Sequence, residues 1–245
     1  MKNKLRSLIL LVAGTFIFSF SNGIAGECHN LPDNSYAPVA GTVLMRGAGV
    51  SDASAINDIQ AYQMLPVNIQ NMLIANHISI YEINPSTGDA INAEVPSAAG
   101  VNGKVAGVAR APEYKILKYS DGRRVVSVVK YGYIDLDTAV EAKYGEDKRI
   151  SLLHEVGHQI DHLYLGGYPA VGSYFVASSQ TEWQTIYAAE KNKLASYSAA
   201  SACNVYTTAE MFAESAGIYF VNPTWLQTNC PLTFAYMAKV VGSFA

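Results

Sequence analysis

Two histidines and a glutamate in the second half of the sequence have a spacing at which they could bind a metal ion and activate water. His154 and His158 are four residues apart, so on a helix both rings project from one face and can bind one zinc ion. Glu155 is rotated by about 100° from His154 around such a helix, which places it beside the metal rather than among the ligands. There its carboxylate would accept a proton from the attacking water as a general base.

The residues around this run predict a buried helix over roughly residues 147–164. Imidazole and carboxylate groups on a buried helix need partners, which argues against a chance match with surface or satisfied core histidines. Gly157 costs a helix about 1 kcal/mol, and a close neighbour at that turn would explain it. The apolar positions are Ile150, Leu152, Leu153, Val156 and Ile160.

Asp161 lies three residues after His158, on the same side of the predicted helix. We predict that its carboxylate holds a histidine tautomer through the ring N–H. The alternative is a solvated charge at the end of the helix.

Catalytic zinc takes three protein ligands and leaves a fourth position to water, so a third ligand must come from another segment. Glu210 and Glu214 are four residues apart, on one face of a predicted helix whose other positions are mostly apolar. We predict Glu210 as the third ligand and Glu214 as a carboxylate that supports Glu210. The alternative is a capping box between Glu210 and Thr207, which leaves Glu214 unexplained.

Segments with strand character precede most of the segments with helical character. Residues 53–75 have apolar side chains at helical spacing interrupted by Pro66, which predicts two short helices. Strands followed by helices predict an α+β fold in one domain. The predicted strands are 77–83, 104–109, 114–119 and 125–133, with a hairpin turn at 120–122, and the later helices are 147–164, 180–194, 207–220 and 231–243, with a break at 196–204.

Residues 1–25 have the order of a secretory signal peptide: a basic start, an apolar run over 8–20, and small residues up to Ala25. The alternative is a membrane anchor, but the apolar run is too short to span a bilayer comfortably. We expect a secreted or periplasmic monomer that has no membrane contact once the signal is removed. Residues 26–50 would form an irregular lead-in, and 51–245 the single folded domain.

The formal net charge of −3 becomes −6 without the signal, which holds three basic and no acidic residues. Such scattered, mildly acidic charge gives no reason to expect nucleic acid or an anionic membrane as a partner. Export would expose cysteines to an oxidising compartment, and Cys203 and Cys230 flank a predicted helix. We therefore predict a disulfide between Cys203 and Cys230, which leaves Cys28 over.

Residues 152–161 and 209–214 together resemble the C-terminal catalytic domain of anthrax toxin lethal factor and its relatives, which include secreted Pro-Pro endopeptidases. The resemblance covers about residues 55–243, with weaker support from Trp183–Leu194 and Asn222-Pro223. It implies a zincin fold, in which a twisted mixed sheet packs on the active-site helix and the C-terminal part is helical.

The same resemblance implies one zinc ion per chain, bound by His154, His158 and Glu210. It also implies a protein or peptide substrate that binds in extended form along an edge strand of the sheet. The segment Lys104–Ala109 is the candidate for that edge.

The chain departs from the family at the tyrosine that stabilises the oxyanion, which the family places seven residues before the third ligand. Here that position is Cys203. The nearest tyrosines are Tyr206 and Tyr197, four and thirteen residues before Glu210. Either could take the role if an insertion around Cys203 shifts the chain.

Together these features predict a secreted zinc metalloendopeptidase of the gluzincin type, with a downstream glutamate as the third ligand. One alternative is an exported zincin-fold protein that binds or adheres without turnover. The intact Glu155 argues against that alternative, and the missing family tyrosine argues for it. Another alternative is a zinc hydrolase of a non-protein amide. No residue indicates a preference for proline at the cleavage site.

Overall fold

A computed structural model describes residues 36–84, 107–110, 113–118, 124–130, 133–137, 149–164 and 176–244 of the 245-residue chain. The predicted signal peptide, Cys28 and the turn at 120–122 lie outside these residues. In the described part of the chain, no helix has both the length and the apolar character needed to cross a membrane.

The described strands form a mixed sheet and a separate hairpin. They are β1 Tyr36–Pro38, β2 Leu44–Gly47, β3 Ser79–Ile83, β4 Gly107–Arg110, β5 Glu113–Lys118, β6 Arg124–Lys130 and β7 Tyr133–Asp137. The mixed sheet has the order β1-β2-β3-β7-β4. Parallel pairing joins β2, β3 and β7, whereas β1 and β4 run antiparallel at the two edges. The antiparallel pair β5–β6 confirms the predicted hairpin.

Two of these strands correct the predicted lead-in over residues 26–50. Its glycine and proline content suggested irregular structure, yet Leu44 is 1% exposed and β2 pairs with β3. The glycine content was taken as a sign of turns, but Gly47 instead allows β2 to pack closely on β3. A Cβ at Gly47 would lie 2.5 Å from the carbonyl oxygen of Glu82 on β3.

The helices agree closely with the sequence pattern. They are α1 Asp52–Met64, α2 Val67–Ala75, α3 Arg149–Leu163, α4 Thr181–Leu194, α5 Ala199–Asn204, α6 Thr208–Val221, α7 Pro223–Asn229 and α8 Pro231–Gly242, with a 3-10 helix at Ala177–Ser179. Pro66 separates α1 from α2 as predicted. However, α5 lies where a break was predicted, because Ser198 caps it by accepting a hydrogen bond from the backbone N–H of Ser201.

The helix α3 packs against α6, α1 and the strands β4 and β7. Gly157 marks its crossing with α6: a Cβ there would lie 2.8 Å from the Cα of Ala213 and 2.9 Å from the Cβ of Ala216. The expected close neighbour of Gly157 is therefore present. The predicted α+β fold is confirmed, with a small mixed sheet on α3 and a helical C-terminal part.

Candidate metal centre

Three side chains with metal-binding atoms converge between α3 and α6. His154 and His158 lie one turn apart on α3, and Glu210 reaches them from the first turn of α6. One donor atom from each residue lies within 4.8 Å of the other two. The Oε2 atom of Glu210 is 3.3 Å from Nε2 of His154 and 3.6 Å from Nε2 of His158. Both imidazoles therefore present the same nitrogen to the carboxylate.

The start of α6 orients Glu210. The Thr207 Oγ1 atom accepts a hydrogen bond from the backbone N–H of Glu210 at 3.1 Å, which caps the helix. The side chain of Glu210 turns to the histidines, rather than back to the backbone of Thr207 as a full capping box requires. The cap and the histidine contacts coexist because they use different parts of the same residue.

Glu214 is fully buried and contacts the other nitrogen of His154. The Nδ1 atom of His154 lies 3.0 Å from Oε2 of Glu214, so the ring can donate its Nδ1–H and keep Nε2 for a metal. Glu214 was predicted to support Glu210. It supports His154 instead, because it lies one turn further along α6, opposite that ring.

Two residues of α5 hold the Glu214 carboxylate, and neither was predicted from the sequence. The Oγ atom of Ser201 donates to Oε1, and the Nδ2 atom of Asn204 donates to Oε2 at 2.9 Å. Serine and asparagine are weak helix formers, so this segment resembled a loop. Only the packing of α5 on α6 brings the two side chains to Glu214.

Asp161, which was predicted to hold a histidine tautomer, has Ser178 as a hydrogen-bond partner among the described residues. Its two carboxylate oxygens accept hydrogen bonds from the backbone N–H of Ser178 at 2.6 Å and from the Ser178 hydroxyl at 2.7 Å. Burial raises the pKa of Asp161 to about 6, although the bonds from Ser178 oppose the shift. Asp161 therefore joins α3 to the 3-10 helix through Ser178.

The electrostatics of the cluster favour a cation. Burial alone would lower the pKa of His154, but the carboxylates of Glu210 and Glu214 raise it well above its usual value. Burial would also raise the pKa of Glu210, but the hydrogen bonds with the two histidines lower it. A donor set of two imidazole nitrogens and one carboxylate oxygen suits a tetrahedral zinc ion with one open position. The residues present therefore fit the zinc ion that the sequence predicted.

Glu155 lies against the edge strand β4. It is 7% exposed, and its carboxylate accepts a hydrogen bond from the backbone N–H of Ala109. A Cβ at Gly107 would lie 2.6 Å from Cγ of Glu155, so a side chain at this position of β4 would displace the Glu155 carboxylate. Burial raises the pKa of Glu155, and the charges of the two histidines oppose that shift. Residues 107–109 of the predicted edge segment therefore lie in an edge strand of the described sheet, next to the candidate base, whereas 104–106 lie outside the described residues.

The two candidate tyrosines have different surroundings. Tyr206 is 53% exposed, and burial together with the charge of Glu210 raises its pKa. Tyr197 packs its ring on Trp225 at a centroid distance of 4.7 Å. The structure thus gives Tyr206 a place near Glu210, and Tyr197 a place against α7.

The predicted disulfide between Cys203 and Cys230 is not formed. Cys230 is a free thiol that is fully buried between α7 and α8, and the side chain of Cys203 lies outside the described atoms. Burial and the charge of Glu190 raise the pKa of the Cys230 thiol to about 11. Cys230 therefore packs as a small apolar residue of the core.

Two comparisons with known proteins found a match. The family model described as "Anthrax toxin lethal factor, N- and C-terminal domain" matches residues 42–240. Among solved structures, the Pro-Pro endopeptidase of Paenibacillus alvei aligns with a TM-score of 0.49 and 19% sequence identity, over 81% of this chain and 97% of that chain. No curated protein matches the sequence.

Proposed function

Because the chain belongs to the anthrax toxin lethal factor family, we propose that it is a zinc-dependent endopeptidase. The observation that carries the proposal is the convergence of His154, His158 and Glu210 beside the buried Glu155. The two histidines and Glu210 would bind one zinc ion per chain, and Glu155 would act as general base. A glutamate as the third ligand makes this a gluzincin-type centre.

The contacts of Glu155 suit a group that moves protons. A zinc ion in the cluster would polarise the scissile carbonyl and lower the pKa of a water molecule. Glu155 is placed to take a proton from that water, because the N–H of Ala109 holds its carboxylate beside the ligand cluster. Burial raises the pKa of Glu155, which makes the carboxylate a stronger base and its acid form a proton donor to the leaving amine.

We propose that the peptide substrate binds in extended form along β4. This strand pairs with β7 on one side and lies at an edge of the described sheet, so the other side can pair with an added strand. A peptide paired there would pass Glu155, because Ala109 of β4 contacts that carboxylate. Gly107 leaves room for the Glu155 side chain beneath that path.

We propose Tyr206 rather than Tyr197 as the oxyanion donor, since Tyr206 is exposed and the charge of Glu210 contributes to raising its pKa. Tyr206→Phe should lower kcat by about 100-fold with little change in KM, because the hydroxyl would act mainly in the transition state. Tyr197→Phe, the matched control, should change kcat by less than about threefold. The reverse ranking of the two variants would transfer the role to Tyr197.

Glu214 should tune the affinity for zinc. Glu214→Gln keeps the shape of the side chain but removes the charge that orients His154 and makes its ring more basic. We expect zinc affinity, measured by competition with a coloured chelator, to fall by about 10- to 100-fold. Glu182→Gln is a suitable control, because Glu182 is an exposed residue of α4 that pairs with Lys239. Equal affinities for both variants would contradict the assigned role.

Peptide cleavage by a purified protein of residues 26–245 tests the proposed function directly. An internally quenched peptide library should be hydrolysed by the zinc-loaded protein, lose its hydrolysis with a chelator, and regain it when zinc returns. Mass spectrometry of the products identifies the cleaved bonds. Zinc binding without any peptide turnover would contradict the proposal and favour the binding or adhesion alternative.

We further propose that the protein is exported and that residues 1–25 are removed. The order of basic, apolar and small residues supports this proposal. N-terminal sequencing of the protein recovered outside producing cells should begin at Gly26. A product that stays in the cytoplasm with Met1 intact would refute it.

A further inference from the structure

Two side chains of α3 form hydrogen bonds with the main chain of the edge strand β4. Glu155 accepts a hydrogen bond from the N–H of Ala109. One turn further along α3, the Nε2 atom of Gln159 donates to the carbonyl oxygen of Arg110 at 2.9 Å. The two contacts therefore hold adjacent residues of the same short strand.

Gln159 is an unusual residue for this part of the helix, because it is completely buried. Burying an amide is unfavourable unless it forms hydrogen bonds, and the bond from Nε2 to Arg110 supplies one of them. The contact uses a backbone carbonyl, so it depends on where β4 lies and not on the side chains that β4 carries.

The strand β4 is short and lies at an edge of the described sheet. β4 spans four residues, Gly107–Arg110, and among the described strands it pairs with β7 alone. Short edge strands open more readily than central ones. A second main-chain contact one residue from the Glu155 contact would fix both the distance and the register of β4 relative to α3.

We propose that Gln159 is a positioning residue that holds β4 in register with Glu155, so that an extended peptide paired with β4 presents its scissile bond at the base. This inference rests on the proposed peptidase function and extends it to the placement of the substrate. Gln159 contacts neither the substrate nor the ligand cluster in this arrangement. It acts through β4, where a displacement of about 1 Å can cost about 100-fold in rate.

The first test needs no activity. Gln159→Met keeps the length of the side chain and removes the donor, and Gln159→Leu is a second variant in case methionine is not tolerated. Amide hydrogen exchange, measured by mass spectrometry, should accelerate about fivefold at residues 107–110 and remain unchanged in β3. The matched control is Gln184→Met, which removes a bond from an exposed glutamine of α4 to the Ser179 carbonyl. If the exchange rates at residues 107–110 are the same in Gln159→Met as in Gln184→Met, the proposal is overturned.

The second test uses substrate length. For internally quenched random decapeptides, which can pair along β4, kcat/KM of Gln159→Met should fall about tenfold. For random tetrapeptides, which are too short to use the strand fully, it should fall less than about twofold. Zinc content should be unchanged. Equal losses for both lengths would indicate general damage to the fold and overturn the positioning role. If the wild-type protein cleaves neither library, the proposed function fails, and hydrogen exchange alone decides whether Gln159 holds β4.

Discussion

Replacing Glu155 with glutamine is expected to lower kcat/KM for peptide cleavage by about 1000-fold while the protein keeps its zinc. Glutamine has the same shape and can still accept the hydrogen bond from Ala109, but it cannot take a proton from water. Glu155 also lies outside the group of residues whose donor atoms converge. Metal analysis of the purified variant should therefore still find one zinc ion per chain.

Glu182→Gln provides the matched control, because it makes the same chemical change on the exposed face of α4. The pair that Glu182 forms with Lys239 is exposed, so its loss should change activity and stability only slightly. A Glu155→Gln protein that binds zinc and cleaves peptides at the wild-type rate would show that another group is the base. A variant that loses zinc would instead place Glu155 among the ligands.

The ligand set could be predicted from the sequence because helix geometry is local. Residues four apart on a helix share a face whatever surrounds it, so His154 and His158 could be recognised from their spacing alone. Glu210 followed from the need for a third ligand and from a second helix with one acidic face. The structure brings these three residues together at the predicted positions.

The supporting contacts could not be predicted, because each depends on how separate elements pack. Glu214 lies on the expected face of α6, but only the crossing of α6 and α3 shows that it contacts His154. Asp161 has the spacing expected for a histidine partner, yet the 3-10 helix provides Ser178 as its donor. Gln159 had no signal, since nothing in a helical pattern shows that a strand lies above it.

The elements were predicted best where the periodicity was strong. The helices α3, α4, α6 and α8 begin and end within two residues of the predicted bounds. The strand β2 was missed because its glycine reflects a close approach to β3. The cysteine prediction failed for a similar reason, since flanking a helix does not show which way a side chain points, and Cys230 points into the core.

Gly157→Ala should destabilise the fold and weaken the metal site together. The added Cβ would lie 2.8 Å from the Cα and the carbonyl oxygen of Ala213, which are backbone atoms that cannot rotate away. Overpacking of this kind costs about 1–3 kcal/mol, while alanine in place of glycine returns up to about 1 kcal/mol of helix propensity. We expect a net loss on the order of 1–2 kcal/mol in the free energy of unfolding.

The same substitution should lower zinc affinity by about tenfold, because α6 must move away from α3 and takes Glu210 with it. Chemical denaturation of the metal-free protein measures the stability effect, and chelator competition measures the affinity. Gly242→Ala is the matched control, since a Cβ there meets nothing within 4 Å, and it should leave both quantities unchanged or slightly improved. If Gly157→Ala loses stability but binds zinc as tightly as the control, the crossing supports the fold without setting the position of Glu210. If it loses neither, α6 can adjust to an added methyl group, and close contact at Gly157 is not what brings the two halves of the site together.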